Sequence, residues 1–394
     1  MKLRWKSLPI AAAAAAIALA LASVPAGAAA SRHKKAKQQT TQQTTQQTTQ
    51  QTTQQTTKQT TKKAAKADPA RKDASYLQRD DVMRFGVEIA ERNGLDTAWV
   101  LAALADARYQ PSVARFIAPP PAGTAKNWAA YRARFVEPRR IAAGVAFWRA
   151  NEGWLLRAED LYGVPPEIVV GIIGVETIYG QQMGSFRAID ALATLAFDYP
   201  AGARDRSAFF RAELEQLFIH CRSTPQRAGC DPLTLQGSYA GALGMPQFMP
   251  GSINRYAVDF DADGRIDLRD SSADVIGSVA HYLAEYGWRR GVPTHFAVAV
   301  PVDAADRALL LGPDIVPTFS AAQFAAHGAV LAPEAQRFDG LLALVELQNG
   351  AAAPSYVAGT SNFFAITRYN QSSYYAMAVI ELGEAVKQGI GAVR

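Results

Sequence analysis

Cysteine is nearly absent from this chain, since only Cys221 and Cys230 occur among its 394 residues. The N-terminal stretch therefore contains no cysteine that could carry a lipid, which excludes a lipid-anchored bacterial lipoprotein. The two cysteines lie close in sequence and flank Pro225 and Gly229. Export would make a disulfide permissible, and we expect the two to pair. Closing so short a loop contributes about 2–3 kcal/mol through the lost entropy of the unfolded chain.

The first 30 residues follow the three-part pattern of a secretory signal peptide. Basic residues within positions 2–6 precede an Ala- and Leu-rich apolar stretch from Leu8 to Val24, and the small residues AGAAAS follow. We expect cleavage after Ala28 or Ala30 and a periplasmic location. The alternative is an uncleaved membrane anchor, because the apolar stretch is nearly long enough to span a bilayer.

Positive charge is scarce outside the N-terminal region. The formal net charge is +6, but residues 1–72 hold 13 of the 41 Lys and Arg residues and one of the 35 acids. The rest of the chain therefore has 28 basic and 34 acidic side chains, a net charge of about −6. A nucleic-acid-binding fold usually displays a basic patch, so this balance argues against a nucleic-acid partner.

Residues 31–72 lack aromatic and large aliphatic side chains and consist largely of QQTT repeats flanked by Arg and Lys. Such a segment cannot bury enough apolar surface to offset its ordering entropy, so we interpret it as a disordered, cationic linker. Its charge favours weak, salt-dependent association with an anionic membrane or envelope surface. A passive spacer is the alternative interpretation.

The most informative stretch is GVPPEIVVGIIGVETIYG, residues 163–180. Two prolines fit a first helical turn, and the residues that follow are apolar on nearly every side, which indicates a helix buried in a core. One acid, Glu176, lies within this run, and Gly180 is placed to end the helix. Burial without a partner raises the pKa of a carboxyl group, as a general acid near neutral pH requires. The alternative is a helix-end glutamate that reaches water or an arginine.

A second stretch, GSYAGALGMPQFMP at residues 237–250, is rich in glycine and proline among aromatic and sulfur side chains. It is a poor helix or strand and a plausible wall of a binding cleft. The amide of Gln247 can both donate and accept hydrogen bonds, as sugar hydroxyl and acetamido groups require. A purely structural turn is the alternative.

The run DFDADGRIDLRD, residues 259–270, has the spacing of a calcium-binding loop. Its candidate ligands are three alternating carboxylates, one backbone carbonyl and one later carboxylate: Asp259, Asp261, Asp263, Arg265, and then Asp270 or Asp274. Gly264 stands at position six, where the loop turns sharply. Position twelve is Asp270 where the standard loop has the longer Glu, so Asp274 stays open as the last ligand. A solvated acidic turn without metal is the alternative.

Helical periodicity begins at Tyr76 and is the main pattern of the remaining chain. We predict helices that include residues 185–197, 206–220, 275–285 and 373–392. From about 293 to 349, short apolar runs separated by Pro, Gly and Asp instead predict a small strand-containing subdomain.

Taken together, these stretches resemble the lytic murein transglycosylase B family. The segments that carry the resemblance occur in one order along the chain: YRARFVEP (131–138), YGVPPEIVVGIIGVETIYG (162–180), AIDALATLAFDYP (188–200), GSYAGALGMPQFMP (237–250), the calcium loop with IGSVAHYLAEYGW (276–288), and RYNQSSYYAMAV (368–379). The resemblance covers the chain from Tyr76 to the C terminus. It implies a mainly α member of the α+β class, with a lysozyme-like core, a helical domain, a small inserted β subdomain and an EF-hand-like calcium loop.

The domain organisation that we predict combines this resemblance with the composition. Its parts are a signal peptide (1–30), the cationic linker (31–72), an N-terminal helical region (73–145), the lysozyme-like catalytic core with the calcium loop (146–292), the small β subdomain (293–349), and a C-terminal return to the core (350–394).

The resemblance also implies an activity and a set of site residues. The substrate would be the glycan strands of peptidoglycan, and the product a 1,6-anhydromuramyl end. Glu176 would be the catalytic acid, calcium would be structural, and no organic cofactor is expected. The implied substrate-binding residues line the cleft: Ser238, Tyr239, Gln247, Asn362, Tyr369 and Asn370.

Two other functions stay open at this stage. A hydrolytic muramidase would need a second carboxylate near Glu176, and Asp190 and Asp198 are the nearby acids in later segments. A non-catalytic peptidoglycan-binding scaffold is the third hypothesis, although an intact Glu176 argues against it. The sequence does not indicate an oligomeric state.

Overall fold

Helices make up more than half of the residues that the computed structural model describes, which are 76–118, 125–201, 204–222 and 230–391. The predicted signal peptide and the predicted linker lie outside the described residues. The helices are α1 Asp80–Asn93, α2 Thr97–Asp106, α3 Pro111–Phe116, α4 Trp128–Arg132, α5 Pro138–Ala150, α6 Glu152–Tyr162, α7 Pro166–Thr177, α8 Ala188–Phe197, α9 Ser207–Cys221, α10 Pro250–Tyr256, α11 Ser272–Glu285, α12 Ala304–Leu311, α13 Ala321–Ala326, α14 Pro333–Gln336, α15 Ser361–Tyr369 and α16 Ser373–Gly391.

Helix α7 is the apolar helix that the sequence predicts at the centre of the core. Ten of its twelve residues are buried, and Pro166 occupies its first turn. A helix that is apolar on every side gains stability only where other elements cover all of it. Helices α5, α6, α11 and α16 pack around it.

The closest of these neighbours is α16, and glycines allow the approach. A Cβ atom on Gly171 of α7 would lie 2.2 Å from the backbone oxygen of Val379 on α16. Conversely, a Cβ atom on Gly383 of α16 would lie 2.0 Å from the backbone oxygen of Glu167 on α7. Backbone atoms cannot rotate away as a side chain does, so glycine at both positions fixes the distance between the two helices.

Two antiparallel sheets occur among the described residues. Strands β1 Phe186–Arg187 and β2 Gln236–Gly237 form a short pair. The other sheet contains β3 His295–Ala299, β4 Val330–Leu331, β5 Ala343–Asn349 and β6 Ala352–Gly359, in the order β4-β3-β6-β5. Helices α12, α13 and α14 lie between its strands in sequence, and their apolar residues form a second, smaller cluster around Phe296, Leu310 and Phe324.

Three predicted boundaries differ from the structure. Strand β6 continues the four-stranded sheet to Gly359, past the predicted end of the β subdomain at residue 349. Residues 186–187 pair as strand β1, so α8 begins at Ala188 rather than at residue 185. Helix α7 ends at Thr177, before Gly180, because the chain already turns into the left-handed region at Ile178. The other domain boundaries stay predictions.

The predicted disulfide is confirmed, since Cys221 at the end of α9 is bonded to Cys230. Its nine-residue separation closes the short loop that the sequence indicates. Among the described residues, no helix is both long and apolar enough to cross a bilayer.

Candidate active site

Glu176 lies in the last turn of α7, at the edge of the core. Its side chain is partly buried, and burial raises its pKa from an ordinary value of 4.5 to about 8. The hydroxyl of Tyr375 on α16 donates a hydrogen bond of 2.6 Å to Oε1, which lowers the pKa by a smaller amount. The carboxyl group therefore holds its proton at neutral pH, as a general acid must.

Three tyrosines surround this carboxyl group. Tyr375 stacks on Tyr369, with ring centroids 6.2 Å apart and planes 14° apart. The ring of Tyr131 on α4 lies 5.8 Å from that of Tyr374, and burial and the charge of Glu176 raise the pKa of Tyr131 to about 12. The sequence motifs contain Tyr131 and Tyr375, but we did not predict either as a site residue. Tyr375 is 199 residues from Glu176 in sequence, so no local pattern could have paired them.

The backbone directly after Glu176 is strained. Ile178 and Tyr179 both have positive φ angles, of 50° and 55°, although neither is glycine. Such a conformation costs about 1–3 kcal/mol per residue and persists only where the surroundings enforce it. Thr177 supplies part of that enforcement, because its hydroxyl donates to the backbone oxygen of Met245 (2.8 Å) and accepts from the amide of Gly180 (3.0 Å). The end of α7 is thereby tied to the loop at 237–250.

The two other acids that could have served as a second carboxylate are held elsewhere. Asp190 is 4% exposed and pairs with Arg187 at 2.7 Å. Asp198 pairs with Arg79 at 2.8 Å. Among the described residues, only burial and the bond from Tyr375 contribute to the shifted pKa of Glu176, and neither is a second carboxylate. Of these three acids, only Glu176 has no arginine partner within the described part of the chain.

The loop at 237–250 folds back on itself beside the end of α7. The hydroxyl of Ser238 accepts hydrogen bonds from the amides of Ala240 (3.3 Å) and Ala242 (3.1 Å), so it stabilises the turn. Gln247 has a φ of 51°, and its Nε2 donates to the backbone oxygens of Gly244 (2.9 Å) and Met183 (3.2 Å). Both side chains are almost fully buried, at 7% and 9% exposure. Ser238 and Gln247 therefore both stabilise the turn, which is the structural role that we gave as the alternative to a cleft wall.

The remaining predicted cleft residues differ in exposure. Tyr239 is partly exposed, and its ring lies 5.6 Å from that of Phe116. Tyr369 is partly exposed and donates its hydroxyl to the backbone oxygen of Pro246. Asn370, the next residue, is also partly exposed.

Asn362 is the exception, because its side chain is fully buried. Its Oδ1 accepts from the amide of Arg289 (2.7 Å), and its Nδ2 donates to the backbone oxygens of Arg289 (2.8 Å) and Val292 (2.7 Å). These bonds use the amide group to fasten α15 to the loop that precedes β3. In this position the side chain of Asn362 supports the structure and is not exposed to solvent.

The calcium loop lies on the surface between α10 and α11. Carboxylate oxygens of Asp259, Asp261 and Asp263 lie within 4.8 Å of one another, as ligands of one ion must. Asp274 is 1% exposed, and its carboxylate accepts from the amides of Phe260 (2.7 Å) and Asp267 (2.7 Å). Burial raises the pKa of Asp274, and the charges of Asp261 and Asp259 raise it further.

The other two candidate ligands project outward. The side chain of Asp270 is exposed. The guanidinium group of Arg265 is also exposed and lies 3.7 Å from Asp263, so only the backbone carbonyl of Arg265 is suited to bind a cation. The donor set is all oxygen, as calcium prefers.

Among the described residues, a carboxyl group that holds its proton at the edge of a mainly helical core, while Asp190 and Asp198 are held in ion pairs, fits an enzyme that acts on glycosidic bonds through a single acid. The comparison with known families agrees with this class. The family described as the transglycosylase SLT domain matches residues 77–384, and the chain belongs to it.

Individual relatives match over most of the chain. Membrane-bound lytic murein transglycosylase B of Escherichia coli (strain K12) is 40% identical over 319 residues, which cover 79% of this chain and 84% of the relative. The structure of the Escherichia coli lytic transglycosylase Slt35 in complex with calcium aligns with a TM-score of 0.67 and 37% identity, over 81% of this chain and 95% of that one. SltB3 of Pseudomonas aeruginosa in complex with NAG-anhNAM-pentapeptide aligns with a TM-score of 0.65 and 27% identity, over 80% of each chain.

Proposed function

We propose that this protein is a lytic transglycosylase of peptidoglycan. It cleaves the β-1,4 bond between MurNAc and GlcNAc and leaves a 1,6-anhydromuramyl end, as part of cell-wall turnover. The observation that carries the proposal is the single protonated carboxyl group of Glu176, with Asp190 and Asp198 both held in arginine pairs. Similarity to lytic transglycosylases, one of them bound to an anhydromuramyl ligand, supports the same substrate class.

One carboxyl group suffices if the substrate supplies the nucleophile. Glu176 donates its proton to the oxygen of the departing GlcNAc as the bond from that oxygen to muramyl C1 breaks. The resulting carboxylate then takes the proton of the muramyl C6 hydroxyl, whose oxygen forms the new bond to C1. Glu176 ends the cycle protonated, and no water is consumed.

The residues around the cleft would hold the sugars. We propose Tyr239, Tyr369 and Asn370 as the residues that contact substrate, because their side chains keep partial exposure. Ser238 and Gln247 present the wall of the cleft through the loop that they stabilise. For Asn362 we propose a positioning role through its bonds to Arg289 and Val292.

Digestion of purified sacculi, followed by mass spectrometry of the products, tests the proposal. We expect muropeptides with anhydromuramyl ends. Reducing ends, with one added water, would identify a hydrolytic muramidase. Undigested sacculi under conditions where the protein binds them would identify a scaffold.

Removing the hydrogen bond from Tyr375 should change the pH dependence of turnover. This bond favours the ionised form of Glu176, so Tyr375→Phe should raise the pKa of Glu176 further above about 8. The acid must be protonated to react, and activity is lost as the pH rises through its pKa. The alkaline limb of the kcat profile should therefore move to higher pH. A Tyr374→Phe control keeps the bond to Glu176, and a limb that moved equally in both variants would contradict this account.

Calcium is expected to stabilise the fold rather than to take part in the reaction. We propose the carboxylates of Asp259, Asp261, Asp263 and Asp274 and the backbone carbonyl of Arg265 as ligands. Asp274 is preferred to Asp270 because it lies buried beneath the loop. The neighbouring Slt35 structure in complex with calcium supports this assignment. When bound, the ion would cross-link the loop to the start of α11.

Chelation should lower the melting temperature of the protein, since a ligand that binds only the folded state stabilises it by about 2.7 kcal/mol at one hundred times its Kd. Asp263→Ala should abolish that sensitivity, whereas Asp270→Asn should keep it. An unchanged melting temperature in protein verified to be metal-free would refute the structural role of calcium.

We propose that the N-terminal region directs export and attachment and takes no part in the reaction. Its sequence predicts export to the periplasm and weak attachment of the basic linker to anionic lipid. Mature protein and a variant that starts at Asp73 should differ in binding to anionic vesicles at low salt but turn over soluble glycan fragments equally. Equal vesicle binding would leave the linker as a spacer.

A further inference from the structure

Helix α4 is a five-residue helix that carries Tyr131, whose ring lies 5.8 Å from that of Tyr374, the residue before the Glu176 partner Tyr375. A helix of one or two turns is unstable on its own, so its place must be set by contacts from other elements. Its own N-cap supplies one of these, because Oδ1 of Asn127 accepts from the amide of Ala130 at 3.0 Å. That bond shapes the first turn but does not fix where the helix lies.

The tip of the β5–β6 hairpin supplies the external contact. Oδ1 of Asn349 accepts from the amide of Ala129 at 3.1 Å, and the amide of Gly350 donates to the backbone oxygen of Lys126 at 2.9 Å. Asn127 and Asn349 also form an antiparallel bridge. The β subdomain thus satisfies an N-terminal amide of α4 that the helix cannot pair by itself.

Asn349 is itself held in place by the hairpin. Its Nδ2 donates to the backbone oxygen of Ala353 (3.1 Å) and to the hydroxyl of Ser355 (3.3 Å). The amide group therefore has its donor side in the β subdomain and its acceptor side on α4. Because the acceptor and the donors lie on opposite sides of the amide group, substitutions can test the bond to α4 and the bonds within the hairpin separately.

Helix α16 contacts the same two elements from the other direction. The ring of Tyr374 lies 5.8 Å from those of Trp128 and Tyr131, and its hydroxyl donates to the backbone oxygen of Gln348 (2.9 Å). Tyr374 directly precedes Tyr375, the partner of Glu176. The hairpin tip, α4 and the start of α16 therefore form one packed unit around the acid.

We propose that Asn349 is a positioning residue for the active site: the tip of the β hairpin clamps α4 and so keeps the ring of Tyr131 against Tyr374, the residue before the Glu176 partner Tyr375. This gives the small β subdomain a part in the reaction, although none of its residues touches the acid. Without the acceptor of Asn349, the amide of Ala129 turns to water and the first turn of α4 frays. Tyr131 then shifts from its position. A misplacement of about 1 Å near the reacting groups costs about tenfold to a hundredfold in rate.

Two substitutions of Asn349 separate the clamp from the hairpin. Asn349→Ala removes the acceptor and should lower kcat by about tenfold or more. Asn349→Asp keeps an oxygen for the amide of Ala129 but loses the donor to Ala353, so its kcat should fall less than that of Asn349→Ala. Ser355→Ala is the matched control, because it removes a bond within the hairpin without touching α4, and its kcat should equal that of the parent. A kcat for Asn349→Ala equal to that of the parent would overturn the proposal.

A double-mutant cycle asks whether Asn349 acts through Tyr131. If it does, Asn349→Ala should cost little further activity in a Tyr131→Ala background. Losses that multiply in the double variant would assign Asn349 a merely structural role.

The kcat measurements and the double-mutant cycle rest on the proposed function, so a measurement that does not depend on activity is also needed. Amide hydrogen exchange at Ala129 and Ala130 should become faster in Asn349→Ala and stay slow in Asn349→Asp and Ser355→Ala. Unchanged exchange would overturn the clamp whatever the reaction proves to be. Faster exchange in a protein that yields no anhydromuramyl product would preserve the clamp and reject the proposed function alone.

Discussion

Glu176→Gln should abolish turnover, lowering kcat by about a hundredfold to ten-thousandfold, the contribution of a positioned general acid–base group. Gln keeps the size of the side chain and can still bond to Tyr375, but it cannot give or take the proton that the reaction needs. Among the described residues, the other two candidate carboxylates, Asp190 and Asp198, are both paired with arginines and are not placed to replace it. Release of anhydromuramyl products from sacculi measures the effect.

The same variant should be more stable than the parent protein at neutral pH and above. The pKa of Glu176 is raised in the folded state from 4.5 to about 8, so the folded protein is penalised as the pH rises between these values. The penalty is absent below pH 4.5 and reaches about 3 kcal/mol at pH 7, since each pKa unit corresponds to 1.36 kcal/mol. Gln does not titrate and should remove this dependence.

Thermal unfolding of both proteins between pH 5 and pH 8 checks this account. The difference in melting temperature should widen as the pH rises. A Glu176→Gln protein that kept more than a small fraction of turnover would refute the catalytic assignment. A difference in stability that did not change with pH would refute the raised pKa.

Gly171→Ala should destabilise the fold by about 3 kcal/mol and lower activity at the same time. The added methyl group would lie 2.2 Å from the backbone oxygen of Val379, so α16 would have to move away from α7. Because Tyr375 lies on α16 and Glu176 on α7, this movement would lengthen the 2.6 Å hydrogen bond between them. Urea unfolding measures the first effect, and the pH profile of kcat measures the second.

Gly153→Ala provides the matched control. Gly153 lies in α6 with no atom near the position of an added Cβ, and it is exposed. Alanine is favoured over glycine within a helix by up to about 1 kcal/mol, so this variant should be slightly more stable than the parent. Equal effects of the two substitutions would show that helix propensity, rather than the contact between α7 and α16, governs Gly171.

The features that the sequence identified by itself depend on local spacing. The apolar run predicted a buried helix, and α7, with Glu176 in its last turn, confirms that prediction. Two nearby cysteines predicted the disulfide between Cys221 and Cys230. The alternating acids predicted a loop whose carboxylates converge. In each case the residues that must meet lie within about a dozen positions, so short-range geometry determines the outcome.

Only the tertiary structure decided which distant groups meet Glu176 and which do not. Tyr375 reaches the acid because glycines let α7 and α16 approach closely, and no periodicity encodes such a crossing. Asp190 and Asp198 are instead held in ion pairs with Arg187 and Arg79. Asn362 is likewise fully buried, with its amide group bonded to the backbone.

The end of α7 shows the same division. A glycine at position 180 was the local signal for a helix end, yet the helix stops at Thr177 and the chain passes through two strained residues that are not glycine. The bond from Thr177 to Met245, in a loop 68 residues away, helps to hold that conformation. Local sequence specifies what a segment prefers, but the free energy of contacts between distant segments decides what it adopts wherever the two disagree.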